Sequence, residues 1–418
     1  MLVDKLLASV KFGVVNPNNF LYTWGDNSSG QLGDNTTTNK SSPIQIGTAP
    51  WKKIAVGASH SVAIKSDGSL WAWGLNYNGQ LGVSTLAGDI SSPIVIFSTP
   101  NNWTKLSLGG AFMLGLKSDG SLWAWGDNSY GQLGDGTTVS KSSPIQIGTS
   151  SWSAVAAGVW HSMGILSTGA LYAWGLNAVG ALGDGTTTAK SSPVQIGLSS
   201  WSAIAAGGSP PAATAFSLGI LTTGALYAWG GNGNGQLGDG TTTAKSSPVQ
   251  IGTSSWSAIA AGSLHSMGIL TTGALYTWGD NTSGKLGDGT IVAKSSPVQI
   301  GSSSWSAIAA GASHSMGILT TGALYTWGLN TSGQLGDGTL SPKSSPVQIG
   351  TSSWSAISGG SNFSLGILST GALYAWGLGS SGQLGVGVIT TKSSPIQIGS
   401  SSWTAVAAGG AAAAGITI

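Results

Sequence analysis

The sequence predicts an all-β protein: a β-propeller of eight four-stranded blades, its ring closed by a blade split between the N- and C-termini. Three observations carry this expectation. Two Trp series recur at a nearly constant step, each module holds four runs of strand length, and the first and last runs are complementary halves of one module. Stretches such as ALYTWGLNTSGQLGDGT (323–339) recur in close copies along the chain. Repetition of this kind is read first, because stacked repeats bury faces that a single repeat leaves open.

The Trp-Gly pair falls at Trp24, Trp73, Trp125, Trp174, Trp229, Trp278, Trp327 and Trp376. A second series falls at Trp51, Trp103, Trp152, Trp201, Trp256, Trp305, Trp354 and Trp403. The step is mostly 49 residues, with longer ones of 52 from Trp73 to Trp125 and 55 from Trp174 to Trp229. Sixteen of the 19 Trp therefore belong to the repeat, and each can bury ~150–250 Å² between blades.

Within the module that starts at Trp305 the four runs are WSAIAAG, HSMGILTTG, ALYTWG and SSPVQIG. Each is rich in β-branched or aromatic residues and bounded by Gly, Ser, Thr or Pro, which predicts short strands and tight turns. None is long enough to show a helical period. Four strands per module, repeated, is the pattern of a propeller blade.

The chain opens with an outer half, FLYTWG and SSPIQIG, and finishes with an inner half, WTAVAAGG and AAAAGITI. Joining residues 403–418 to 20–47 completes an eighth blade and covers two strand edges. The expected organisation is a single propeller over 20–418, preceded by an N-terminal arm over 1–19.

Composition narrows the function. Hydrophobic residues make up 41% of the 418, enough to fill a core, and only 7% are charged. Every basic residue is Lys and every acidic one Asp, with no Arg, Glu or Cys. A formal charge of +2 gives no polyanion-binding field. The absence of Cys removes disulfides and Cys-ligated zinc. No run approaches the ~18 apolar residues of a membrane span. The opening MLVDKLLASVKFGVV is only faintly like a secretion signal, because Asp4 and Lys11 interrupt it and no small-residue cleavage site follows. The chain begins at Met1, so an ordinary secretory signal is not expected in its making.

The runs AAGASHSMGIL, ALYTWG and LNTSGQLGDGT resemble the repeat of the regulator-of-chromosome-condensation propeller family, and the resemblance extends over residues 20–418. It implies a propeller, usually of seven blades, so a count of eight departs from the common form. It implies no single activity: the family includes a nucleotide exchange factor for a small GTPase, a plant ultraviolet receptor and a secreted β-lactamase inhibitor. A light sensor would need clustered Arg, which is missing. No residue matches an exchange factor's contacts, and that activity is the weaker alternative.

Residue by residue, the repeat explains most candidate chemistry. His60, His161, His265 and His314 each lie nine residues after an inner-strand Trp, and the same position holds Phe112, Phe363 and Ala412 and, after the blade 4 insertion, Phe216. A position that accepts His or Phe fills space, with an N–H for a nearby carbonyl, and diverging blades hold its copies too far apart for one ion. Asp34, Asp135, Asp184, Asp239, Asp288 and Asp337 recur in one loop, Val83 and Val386 replacing them, and read as turn caps instead of calcium ligands. Lys40, Lys141, Lys190, Lys245, Lys294, Lys343 and Lys392 precede Ser-Ser-Pro and read as protection of the outer strand edge. Without Arg to grip phosphates bidentately, nucleic-acid binding is not expected. Neither GGNGNG (230–235), which lacks a strand-to-helix setting, nor any Ser-His-Asp or paired-carboxylate set supports a phosphate loop or an active site. The expectation is no enzyme, no cofactor, no metal, no membrane insertion and no evident small-molecule substrate.

Departures from the repeat carry the functional expectation. Tyr77 with the expansion in VSTLAGDI (83–90), Tyr130, Trp160, and the GGSPPAATA loop (207–215) bearing Pro210 and Pro211 fall in four consecutive blades. All lie in inner-to-second or third-to-outer connections, which share one face of a propeller. Exposed aromatics and a stiff loop on a rigid frame are the makings of a protein-binding patch. The expected function is a non-catalytic structural or protein-binding propeller in a virion, as a phage capsid, tail or fibre component. The alternative setting is a secreted or cell-surface bacterial binding protein, an inhibitor or adhesin.

Overall fold

A strand covered on both faces by neighbouring sheets must be apolar on both, and the third run of each module is. In Leu226–Gly230, Leu226, Ala228 and Trp229 are buried and Tyr227 half-buried. The computed structural model describes residues 19–84, 88–97 and 102–418. The expected N-terminal arm, Asn19 apart, and part of the VSTLAGDI expansion lie outside the described residues.

The strands group into eight antiparallel four-stranded blades. Blades 1 to 7 start at Trp51, Trp103, Trp152, Trp201, Trp256, Trp305 and Trp354 and run inner to outer in chain order. Blade 8 combines Trp403–Ala408 and Ala412–Thr417 with Leu21–Gly25 and Lys40–Gln45, in the spatial order expected for closure. Its two halves meet in continuous register from Leu21 opposite Ile416 to Gly25 opposite Ala412. Blades 3 and 4 share one long strand, Lys190–Gly207, because pairing of Ala170 with Ser200 carries the ladder through the connection. The only helical turn among the described residues, Ala212–Thr214, is a 3₁₀ turn in the blade 4 expansion.

Eight hydrophobic clusters form the core, one at each junction between neighbouring blades. At the junction of blades 4 and 5, Phe216, Leu218 and Ile220 pack against Trp256 and Trp278. Those two indoles meet edge to face at 5.7 Å, the arrangement aromatic quadrupoles favour. Each third-strand Trp also donates its indole N–H to a loop carbonyl of the preceding blade. Trp278 reaches Gln236 at 2.9 Å and Trp73 reaches Gln31 at 2.9 Å. The loop passes so close that a Cβ on Gly33 would lie 2.8 Å from the Trp73 indole nitrogen, and Gly33 has φ +78. Only glycine suits that position.

The inner strands of all eight blades line a central channel of about 580 Å³. Inner-to-second and third-to-outer connections emerge on one side, the long-loop face. The second-to-third turns emerge on the other, the short-turn face.

Candidate docking face

Seven of the eight long third-to-outer loops are organised around a buried Asn, and blade 7 has Gly379 in its place. In blade 4, Asn232 Nδ2 donates to Asp239 Oδ1 at 3.0 Å and to the carbonyls of Thr241 and Thr243. Thr241 donates to the same carboxylate from its backbone N–H and its hydroxyl, and Lys245 pairs with Asp239 at 3.2 Å. Burial raises the Asp239 pKa, but hydrogen bonds from Thr241, Lys245 and Asn232 outweigh it and hold the carboxyl below its usual range. A loop fixed by this many charge-assisted bonds loses little freedom on binding.

The repeated lysines start the outer strand of their blades, as expected, and six of them are also ion-pair partners. Lys40, Lys141, Lys190, Lys245, Lys294 and Lys343 each pair with the Asp six residues earlier, at 3.0–3.5 Å. Blade 1 lacks both members: Val83 and Ile90 replace them and pack against the core. Blade 7 lacks only the acid, and Lys392 has no ion-pair partner among the described residues. The Asp residues do cap their turns, as expected, and also serve as the counter-ions.

The histidine reading holds with one correction. His60, His161, His265 and His314 are buried at the start of the second strand, as are Phe112, Phe216 and Phe363. The expected carbonyl partner is instead a serine of the next blade: His161 Nε2 lies 3.1 Å from Ser217 Oγ, and His314 Nε2 lies 2.9 Å from Ser364 Oγ. Ser217 and Ser364 give their own protons to the carbonyls of Ala181 and Gln334, so the histidines are the donors and carry the proton on Nε2. His60 Nε2 has no partner among the described residues, because Met113 stands where the serine would be.

Tyr77, Tyr130, Trp160, Pro210 and Pro211 all lie in connections of the long-loop face. Tyr77 is 67% and Tyr130 43% exposed. Pro210 and Pro211 are exposed, and their loop is tied to itself by Thr214, whose hydroxyl donates to the Ser209 and Pro211 carbonyls. Trp160 is half-buried, so it offers less surface than its size implies. Sequence reasoning missed a second arc on this face. Ile291, Leu340 and Ile389 occupy one repeat position in blades 5, 6 and 7 and are 67%, 55% and 65% exposed. Thr138, Thr187 and Thr242 hold that position in blades 2, 3 and 4. The departure from Thr was the available signal; it went unread because it changes neither loop length nor aromatic content.

Ring closure, the inter-blade Trp contacts and the loop network together define a repeat β-propeller. The chain matches the RCC1-like domain family over residues 9–300, and regulator of chromosome condensation (RCC1) repeats over 321–367 and 370–414. It belongs to that family. Similar curated proteins include Protein RCC2 of Mus musculus, 27% identical over 132 residues (30% of this chain, 25% of that protein). Ultraviolet-B receptor UVR8 of Arabidopsis thaliana is 30% identical over 131 residues, 30% of each chain. These matches span a quarter to under a third of either relative's length. Among solved structures, human WBSCR16 superposes with a TM-score of 0.66 at 19% identity, covering 96% of this chain and 98% of that one. Prp20p of Saccharomyces cerevisiae gives 0.67 at 20% identity, covering 97% and 92%. At such identities the likeness is one of fold.

Proposed function

We propose that this chain is a rigid, non-catalytic binding propeller that docks a protein partner on its long-loop face. The observation that carries the reading is the exposure of large apolar side chains on that face where most sister blades carry small or polar residues. Tyr77 and Tyr130 form one part, joined by Trp160 and the Pro210–Pro211 loop, and Ile291, Leu340 and Ile389 form the other. Anchors of this kind on a pre-organised frame dominate interface energy.

The setting we propose is a large assembly such as a virion. What supports it is a low-charge surface on which six Lys–Asp pairs are neutralised within their own loops, which suits close packing among neighbouring subunits. Sedimentation of the native protein tests the setting: it should travel with a particle. Travelling as a free soluble protein would favour the secreted or cell-surface alternative. The docking face has its own test in two variants that borrow sister-blade residues where these exist. Tyr77→Ser/Tyr130→Asn/Trp160→Ser and Ile291→Thr/Leu340→Thr/Ile389→Thr should each keep the wild-type Tm. At least one should release the protein from its native complex, and retention of both at wild-type strength would refute the docking face.

A further inference from the structure

Two adjacent blades break the repeat with charge on the face opposite the loops discussed above. At the second and third positions of the inner strand, six blades carry Ser or Thr followed by Ala, as in Ser153–Ala154. Blade 1 has Lys52–Lys53 there and blade 2 has Thr104–Lys105. All three lysines line the central channel, and among the described residues no acidic one does. Lys53 stands opposite Ile64, next to a second-to-third turn, which fixes the cluster at the short-turn mouth.

The ammonium groups are held along one wall. Lys53 donates to the Thr104 carbonyl of blade 2, and Lys105 Nζ donates to the Ser153 carbonyl of blade 3 at 2.8 Å. Desolvation pulls both below the usual ammonium range, and for Lys53 the like charges of Lys52 and Lys105 pull further. The same sector carries Lys65 and Lys117 over the rings of Trp71 and Trp123, where five other blades have Leu and blade 8 has Thr417. Its two carboxylates, Asp67 and Asp119, accept hydrogen bonds from Ser69 and Ser121. Three lysines thus stand in a channel otherwise lined by small and aliphatic residues, while Lys65, Lys117, Asp67 and Asp119 lie outside its lining.

Inter-blade stapling does not account for this cluster, because six blades hold the same junction with Ser or Thr and Ala. Crowding like charges beside an apolar channel costs stability, which a bound anion offsets. The volume falls in the range of small-molecule sites, and an apolar wall with a few convergent polar groups is their usual make-up.

We propose that the short-turn mouth of the channel binds a small amphiphilic organic anion. Its carboxylate or phosphate head sits between Lys53 and Lys105, and its apolar body runs along the half-buried Val155, Ile204 and Ile259. The site is independent of the docking face, so either reading can fail without the other.

Calorimetric titration of the full chain with octanoate, octyl phosphate, octanol and inorganic phosphate tests it. At least one of the two amphiphilic anions should bind, and which one does identifies the head group. Octanol and inorganic phosphate should bind about tenfold more weakly or worse. Lys53→Ala/Lys105→Ala, which installs the sister-blade residue, should keep the fold and lose about tenfold in affinity or more. Lys105→Gln, which keeps an N–H donor on a slightly shorter side chain and removes the charge, should also weaken binding. The proposal is overturned if neither anion binds the wild-type chain, if octanol or inorganic phosphate binds as well, or if Lys105→Gln binds like wild type.

Discussion

The indole N–H of Trp24 donates to the backbone carbonyl of Gln383 at 3.1 Å, across 359 residues of sequence. It is the same bond that Trp73 makes to Gln31 and Trp376 to Gln334. The junction that closes the ring is therefore chemically the same as those within the chain.

If closure holds the fold, a chain lacking residues 403–418 leaves the strand Leu21–Gly25 and the flank of blade 7 uncovered. Such exposed edges pair with other chains. Size-exclusion chromatography should show aggregate, and a soluble monomer with an intact melting transition would contradict the closure argument.

Histidine replacement offers a comparison inside one molecule. His60→Phe should leave stability unchanged or slightly raised, because His60 Nε2 has no partner among the described residues and Phe112, Phe216 and Phe363 already fill the sister positions. His161→Phe should cost about 0.5–1.5 kcal/mol, the net worth of one hydrogen bond. Thermal melts of the two variants separate these outcomes.

Burial pushes the pKa of His60, His161 and His314 down to about 4 from 6.5. Their neutral forms are native, so their contribution is intact above pH 6.5. As pH falls from 6.5 towards 4 the unfolded chain takes up protons that the folded one refuses, and stability drops. The slope is about 1.4 kcal/mol per pH unit for each histidine once the unfolded ring is protonated. Denaturant midpoints across that window should show the fall, and replacing all three with Phe should flatten it.

Lys285 and Asp280 form a buried ion pair in blade 5. Blades 8 and 2 hold Gln31 with Asp26 and Gln132 with Asp127 at the same positions, and blade 6 has Gln334 with Leu329. Asp280→Leu alone strands a buried ammonium and should cost about 3–5 kcal/mol. Lys285→Gln should be tolerated, and the double variant, which recreates blade 6, should recover most of the loss. A double variant as unstable as Asp280→Leu would show that the pair is not the cause.

Blade number, blade closure and the shared face of Tyr77, Tyr130, Trp160 and the Pro210–Pro211 loop were legible, because eight near-copies separate positions that build from positions that vary. The pairing of Lys245 with Asp239 was not. It depends on how the loop folds round Asn232, and six residues of separation in a loop fix no distance. The Trp24–Gln383 link was hidden for a related reason, since a backbone carbonyl leaves no mark in the sequence. The His161–Ser217 contact was half-legible: alternation of His with Phe revealed packing, while the partner sits in another module.

Thr417 N–H donates to the Phe20 carbonyl at 3.0 Å, so the strand Ala412–Thr417 ends where Leu21–Gly25 begins. Elsewhere in the ring a tight turn such as Thr222–Gly224 bridges that gap. Ile418 and Asn19 thus stand where an ordinary turn would, and in a chain without residues 1–18 a short linker could join them without moving a strand. Circular permutation follows naturally. New ends opened at the connection between blades 5 and 6 would give eight uninterrupted sheets and shift the seam to an ordinary blade boundary. In such a protein the ring's order of assembly could be changed while every packed surface stayed the same.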